Sequence, residues 1–308
     1  MHDSRRPRKT VPPQIAAALP LAALIGGNVV LAFGPWFVRL ADVGPVAAAF
    51  WRITLAAPLL LAMAYASGAR PFRNAKGLGL TLVFGGIAFA GDLASWHLGI
   101  LRTTLANATL FGNSATLMFP IYGFLVARAW PTRSQGMALI LATIGATLLL
   151  GRSYELSPKH LAGDLLSLLA GTLYTVYFVL MARARTVMAA LPALALSTLA
   201  SILPLYLAAL LLGETILPHN WGILIGLALA SQVVGQGLMI YALGHLPPLV
   251  VGIALLSQPI VAGTIGWMAY GERLGAPDFI GALLVAVALV LVQRRAPLAS
   301  VDEKTRSA

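Results

Sequence analysis

From residue 14 to residue 293 the chain is a succession of apolar runs, most of them about 20 residues long, separated by short connections. About 20 apolar residues is the length a helix needs to cross the hydrocarbon core of a bilayer. Ten such runs are read at roughly 14–37, 44–66, 77–99, 103–127, 134–151, 160–182, 190–212, 220–243, 248–270 and 277–293. A closed β-barrel also satisfies its backbone in lipid, but its strands alternate polar and apolar residues over about ten positions. The run from Gly136 to Leu150 does not alternate. The fold class expected is therefore an all-α integral membrane protein of ten transmembrane helices.

Composition agrees and excludes other classes. Only 10% of residues are charged and mean hydropathy is +0.85, whereas about a quarter of a soluble domain is charged. The net charge of +11 sits between the apolar runs, which argues against nucleic acid. Cysteine is absent, so disulfides and thiolate metal sites are excluded. The first run lacks a small-residue cleavage site and is read as a span, not a removable signal peptide. The connections and tails leave no room for a separate soluble domain.

Lys and Arg orient the spans. With the N-terminus in the cytoplasm, fifteen of the 21 basic residues fall on the cytoplasmic side, from Arg5 and Arg6 to Arg294 and Lys304. Five fall outside: Arg39, Arg102, Arg152, Lys159 and Arg273. Arg52 lies within a span. Both termini are expected in the cytoplasm, and the membrane is expected to be a bacterial inner (plasma) membrane.

The chain partly overlays itself at a shift of 145 positions. Gly26 falls on Gly171, Phe33 on Phe178, Leu98-Gly99 on Leu243-Gly244, and Gly136 on Gly281. Two repeats are expected, residues 1–151 and 152–308. Each holds five spans, an odd number, so the second enters the membrane from the opposite side. Such inverted repeats are the architecture of many secondary transporters.

The stretch WHLGILRTTLANATLFGNSATLMFP (96–120) and its counterpart ALGHLPPLVVGIALLSQPIVAGTIGWMAYGERLG (242–275) carry a resemblance. Together with Arg52 in FWRITLA and the Gly271-Glu272-Arg273-Leu274 turn, they resemble the EamA-type branch of the drug/metabolite transporter superfamily. The first repeat departs from the turn pattern with Ala127, Arg128 and Ala129. The resemblance implies ten helices around a central cavity lined by spans 1, 3, 4, 6, 8 and 9. It also implies a carrier of metabolites such as amino acids, sugars or nucleotide sugars.

Several residues carry the site reading. On a helical wheel Thr103, Asn107, Phe111, Ser114 and Met118 share one arc of the fourth span. Asn107 and Phe111 are the cavity candidates there, while Ser and Thr suit hydrogen bonding between helices. Asp92 is the one acid well inside a span, and intramembrane charge marks a pathway or a pair. At 1.5 Å per residue, Asp92 and Arg52 lie about 12 Å from the outer ends of consecutive spans. They are expected to pair in at least one state, as a static staple or as a gating or proton-coupling device; Arg52 could instead snorkel outward. Trp96 lies one turn beyond Asp92, and Tyr174, Gln232, Gln236 and Gln258 complete the substrate-binding candidates.

Rival classes find less support. An aspartyl protease needs two carboxylates at one site, and only Asp92 is deep. Ser95 and His97 share a span but point apart, so no activated serine is formed. The five His residues are scattered, unlike a metal site. A filter-like loop for a channel and a G-x-x-x-x-G-K-[ST] loop for ATP-driven transport are both missing from the sequence, and no cofactor is called for. The expected function is alternating-access transport of a small neutral or zwitterionic metabolite, amino acids first. A multidrug exporter of cationic amphiphiles is the alternative, and an intramembrane enzyme the different-class rival. The expected partners are that solute and membrane lipid, with proton coupling a candidate.

Overall fold

The computed structural model describes residues 13–103, 108, 111–150, 158–270 and 275–293, and no strand occurs among them. The boundary expected at 151/152, the turn at 271–274 and both tails lie outside the described residues, as does Asn107. The helices of the first half are α1 (Pro13–Leu31), α2 (Gly34–Leu40), α3 (Pro45–Ala66), the single turn α4 (Pro71–Asn74), α5 (Gly79–Ile100), α6 (Ala115–Ala127) and α7 (Arg133–Leu150). Those of the second half are α8 (Leu161–Arg185), α9 (Ala190–Leu211), α10 (Trp221–Leu227), a π-helical segment (Ala228–Gly235), α11 (Gln236–Leu243), α12 (Pro248–Leu255), α13 (Ser257–Tyr270) and α14 (Ala276–Gln293). Six of the resulting spans are long and apolar enough to cross a bilayer on length and composition alone.

Local sequence explains where helices begin and break. Proline in the first turn opens α3, α4 and α12, where its missing N–H costs nothing. Asn220 caps α10 by accepting from the Gly222 N–H at 3.1 Å. Within the spans the expected continuous helices are interrupted. Pro35 cannot donate to the carbonyl four residues back, and the first span turns between α1 and α2 at Ala32-Phe33. The ninth breaks at Leu256, three residues before Pro259, and the fourth turns at Asn113-Ser114. The eighth widens into the π-helical segment, a rare geometry that gathers at functional sites.

The packing is by antiparallel pairs, read from close approaches at small residues. The start of α3 meets the end of α9, where the Ala47 N–H donates to Glu214 at 2.7 Å. A methyl group added at Gly27 would lie 3.0 Å from the Gly235 carbonyl oxygen, and one at Gly145 2.8 Å from that of Gly281. One at Gly252 would lie 2.7 Å from the Thr116 carbonyl oxygen, which Pro120 leaves without its helical donor. The most extensive contact joins α5 to α8. Long apolar chains such as Leu80 and Leu125 instead project outward, as suits a surface bathed in lipid. The fold is an integral membrane protein built of helices.

At one end of the spans, the 41–51 and 214–220 segments are knit together. Asp42 accepts from the His219 and Asn220 N–H groups at 2.7 and 3.0 Å. Trp51 donates its indole N–H to the Ile216 carbonyl at 2.7 Å, and the Gly44 N–H donates to that of Thr215 at 3.0 Å. The hydrogen bond from His219 holds the Asp42 carboxyl below its ordinary 3.8.

Candidate functional site

A polar and aromatic cluster lies where α3, α5, α8, α9 and the π-helical segment meet. Its centre is Arg52, 8% exposed. The eighth position of α3 carries this side chain inward, among Ala48, Ala49 and Ala56, which are small enough to admit its neighbours. Arg52 donates through Nε to Gln232 Oε1 at 3.2 Å. Gln232, fully buried in the π-helical segment, donates in turn to Thr198 Oγ1 of α9 at 3.0 Å. The guanidinium carbon lies 5.7 Å from the centre of the Phe89 ring, within cation–π range.

Phe89 belongs to an aromatic wall. It stacks on Tyr177 at 4.6 Å and faces Tyr174 at 6.3 Å, and Tyr174 touches Phe178 at 4.2 Å. The Tyr174 hydroxyl donates to Gln236 Oε1 at 3.5 Å. Such rings combine apolar area with hydroxyls that can hydrogen-bond.

Asp92 is one turn from Phe89 on α5. Among the described residues it forms no ion pair with Arg52, whose Nε–H goes to Gln232. In this structure Gln232, not Asp92, holds Arg52. Trp96 continues the same face of α5, and its indole sits against Gly112, 3.0 Å from where a methyl group there would lie. Phe111, half-buried, precedes Gly112 at the turn of the fourth span. Its carbonyl oxygen lies 3.0 Å from a methyl group placed on Gly171 of α8.

Gln258 forms a second cluster at the break of the ninth span. It donates to Asn28 Oδ1 at 2.8 Å, while Asn28 donates to the Ala254 carbonyl at 2.8 Å. This carbonyl also accepts from Ser257 at 2.7 Å. The structure thus gathers Arg52, Asp92, Tyr174, Gln232 and Gln236 about one centre, with Trp96 and Phe111 at the turn of span 4 and Gln258 at the break of span 9.

Sequence reasoning misses Asn28 and Thr198. Asn28 and Thr198 are polar residues inside apolar runs, and that signal alone could have found them. Among the described residues, no group of three or more His, Asp and Glu side chains could hold a metal ion.

Comparison with known proteins gives this geometry its context. The model of the EamA-like transporter family matches the chain twice, over residues 18–151 and 161–294. An uncharacterized transporter of Archaeoglobus fulgidus is 25% identical over 254 residues, covering 80% of this chain and 86% of the relative. One crystal structure superposes with a TM-score of 0.73 at 14% identity, covering 90% of this chain and 96% of the other, which shows a shared fold. Two family matches that between them take in both halves of the chain, and nearly every span with them, place this protein in the EamA-like transporter family.

Proposed function

We propose that the protein is a secondary transporter, exporter or facilitator, that moves a small neutral or zwitterionic metabolite, amino acids first, by alternating access. The observation that carries this reading is the Arg52 cluster, a charged and hydrogen-bonded centre walled by aromatic rings at the junction of both repeats. Substrate-binding roles fall to Trp96, Phe111, Tyr174, Gln232, Gln236 and Gln258, with Asn107 proposed from sequence alone. Arg52 and Asp92 take the gating or coupling role, Asp92 being the carboxylate through which a proton gradient would act.

The reading includes ten spans in two oppositely inserted repeats, residues 1–151 and 152–308. Its support is the antiparallel pairing of equivalent helices. Residues 45–66 and 190–211 bound α3 and α9, 145 positions apart at both ends, and these helices run in opposite senses. Two such halves can rock about a site between them. The bias of basic residues supports cytoplasmic termini and a bacterial inner membrane. A cationic amphiphile is the second reading. The aromatic wall suits it, but a buried arginine at the centre repels it.

Purified protein in liposomes, offered labelled amino acids, sugars and cationic drugs with and without a pH gradient, tests the proposal. Saturable uptake of an amino acid is the expected result. Preferential uptake of the cationic drugs would overturn the choice of substrate. Acceleration by the gradient that disappears in Asp92→Asn identifies the proton site.

A further inference from the structure

The cluster keeps hydrogen-bonding capacity that helix packing does not use. Arginine has five N–H donors in a planar fork, and Arg52 uses only Nε. Its terminal nitrogens donate to no described residue, and the side chain keeps 8% of its surface exposed. Asp92 is half-buried and accepts no hydrogen bond from a described residue. One turn beyond Gln232, the Gln236 amide nitrogen is sealed and has no hydrogen-bond partner. The buried Tyr177 hydroxyl lies near Ser197 and Gln236 but in hydrogen-bond geometry with neither. Polar groups left this way inside a membrane protein are costly unless something else satisfies them.

Opposite charges in a medium of low dielectric attract strongly and close to contact when free to do so. Among the described residues Arg52 and Asp92 form no ion pair, and the Arg52 Nε–H goes to Gln232 instead. Arg52 is held back by the Gln232–Thr198 relay on one side and by the Phe89 ring on another. The π-helical segment thus places Gln232 on Arg52 Nε.

We infer that Arg52 and Asp92 are specificity residues that read the two ends of a zwitterion. The Arg52 fork takes a carboxylate in the paired geometry that guanidinium favours, with the Gln236 amide, one turn beyond Gln232, as a second donor. Asp92 takes the ammonium, and the apolar part of the solute lies on Phe89 and Tyr174. Gln232 is a positioning residue that prevents the two charges from neutralising each other before substrate arrives. This inference rests on the transporter reading and assigns the recognition within it.

The test compares leucine, its decarboxylated amine (isoamylamine) and N-acetylleucine for binding to the purified full chain. The wild type binds leucine at least about tenfold more tightly than either probe that lacks one charge, as loss of a charged hydrogen bond implies. Arg52→Gln reduces leucine to the level of the amine and leaves amine binding unchanged. Asp92→Asn reduces leucine to the level of N-acetylleucine and leaves that acid unchanged. Gln236→Leu keeps both charges and weakens leucine and the acid, but not the amine, which keeps the test open if an Arg52 variant fails to fold. Equal binding of amine and leucine by the wild type overturns the inference, as does an equal loss of all three probes in folded variants. Liposome uptake separates the two levels. Saturable uptake restricted to uncharged sugars ends the zwitterion assignment and leaves a transporter, while no uptake of any solute ends the transporter reading itself.

Discussion

The two repeats resemble one another in packing and differ in chemistry. At the shift of 145, Arg52 corresponds to Ser197, Asp92 to Gly237, Gln232 to Ile87 and Gln236 to Gly91. The first repeat contributes the charges and the second the amides. By contrast, α3 and α9 keep the same length, and Gln258 and Asn113 place an amide at equivalent points of two interrupted spans. The lesson is physical. Helix contacts repeat because both copies meet the same need for close approach. A solute with different ends touches both copies at once, so it favours halves that present different groups.

The most severe way to break this comparison is to exchange equivalent positions. Arg52→Ala should reduce liposome uptake about ten- to a hundredfold, the effect of removing a charged hydrogen-bond donor. Ser197→Ala, at the matching place in the second repeat, should stay within about twofold. Similar losses for both would mean that the chemistry is shared by the repeats.

Packing offers a second contrast. Gly171 and Gly26 are equivalent, but a methyl group on Gly171 would meet Ser114 and lie 2.7 Å from the Gly112 carbonyl oxygen. On Gly26 it would meet only Leu238, at 3.8 Å. Gly171→Ala should cost about 1–3 kcal/mol by overpacking, and Gly26→Ala less than about 0.5 kcal/mol. Thermal unfolding in detergent compares them.

Smaller effects sharpen the picture. Ser201 donates to the Gly86 carbonyl of α5 at 2.8 Å, and Ser201→Ala should cost about 0.6 kcal/mol, the usual scale for a hydrogen bond between membrane helices. The smallest effect is at the outer loops. Asp42 has a lowered pKa, chiefly through the hydrogen bond from His219. The tie is therefore fully present above pH 3.8 and is lost as the pH falls through the lowered value. Protection against hydrogen exchange at the His219 and Asn220 amides, taken relative to the intrinsic rate at each pH, should fall as the Asp42 carboxylate is protonated, and Asp42→Asn should remove most of that dependence.

Much of the fold was legible because apolar length is a one-dimensional property. Runs long enough for the bilayer, short basic loops and recurring glycines are visible without coordinates. Asp92 and Arg52 stood out for the same reason, since a charge in an apolar run is conspicuous wherever it points. The interruptions were less legible. Proline signals a break but not which turn yields, and the widened turn at residues 228–235 has no such marker.

By itself, then, the sequence determined a helical membrane protein with an internal repeat and a few buried charges, because lipid tolerates so few backbone solutions. Tertiary structure decided the partnerships. Gln232 rather than Asp92 holds Arg52, and Asn28 joins Gln258 across 230 positions of the chain. Those choices depend on which faces of distant helices meet and at what depth, and hydrophobicity alone does not encode either.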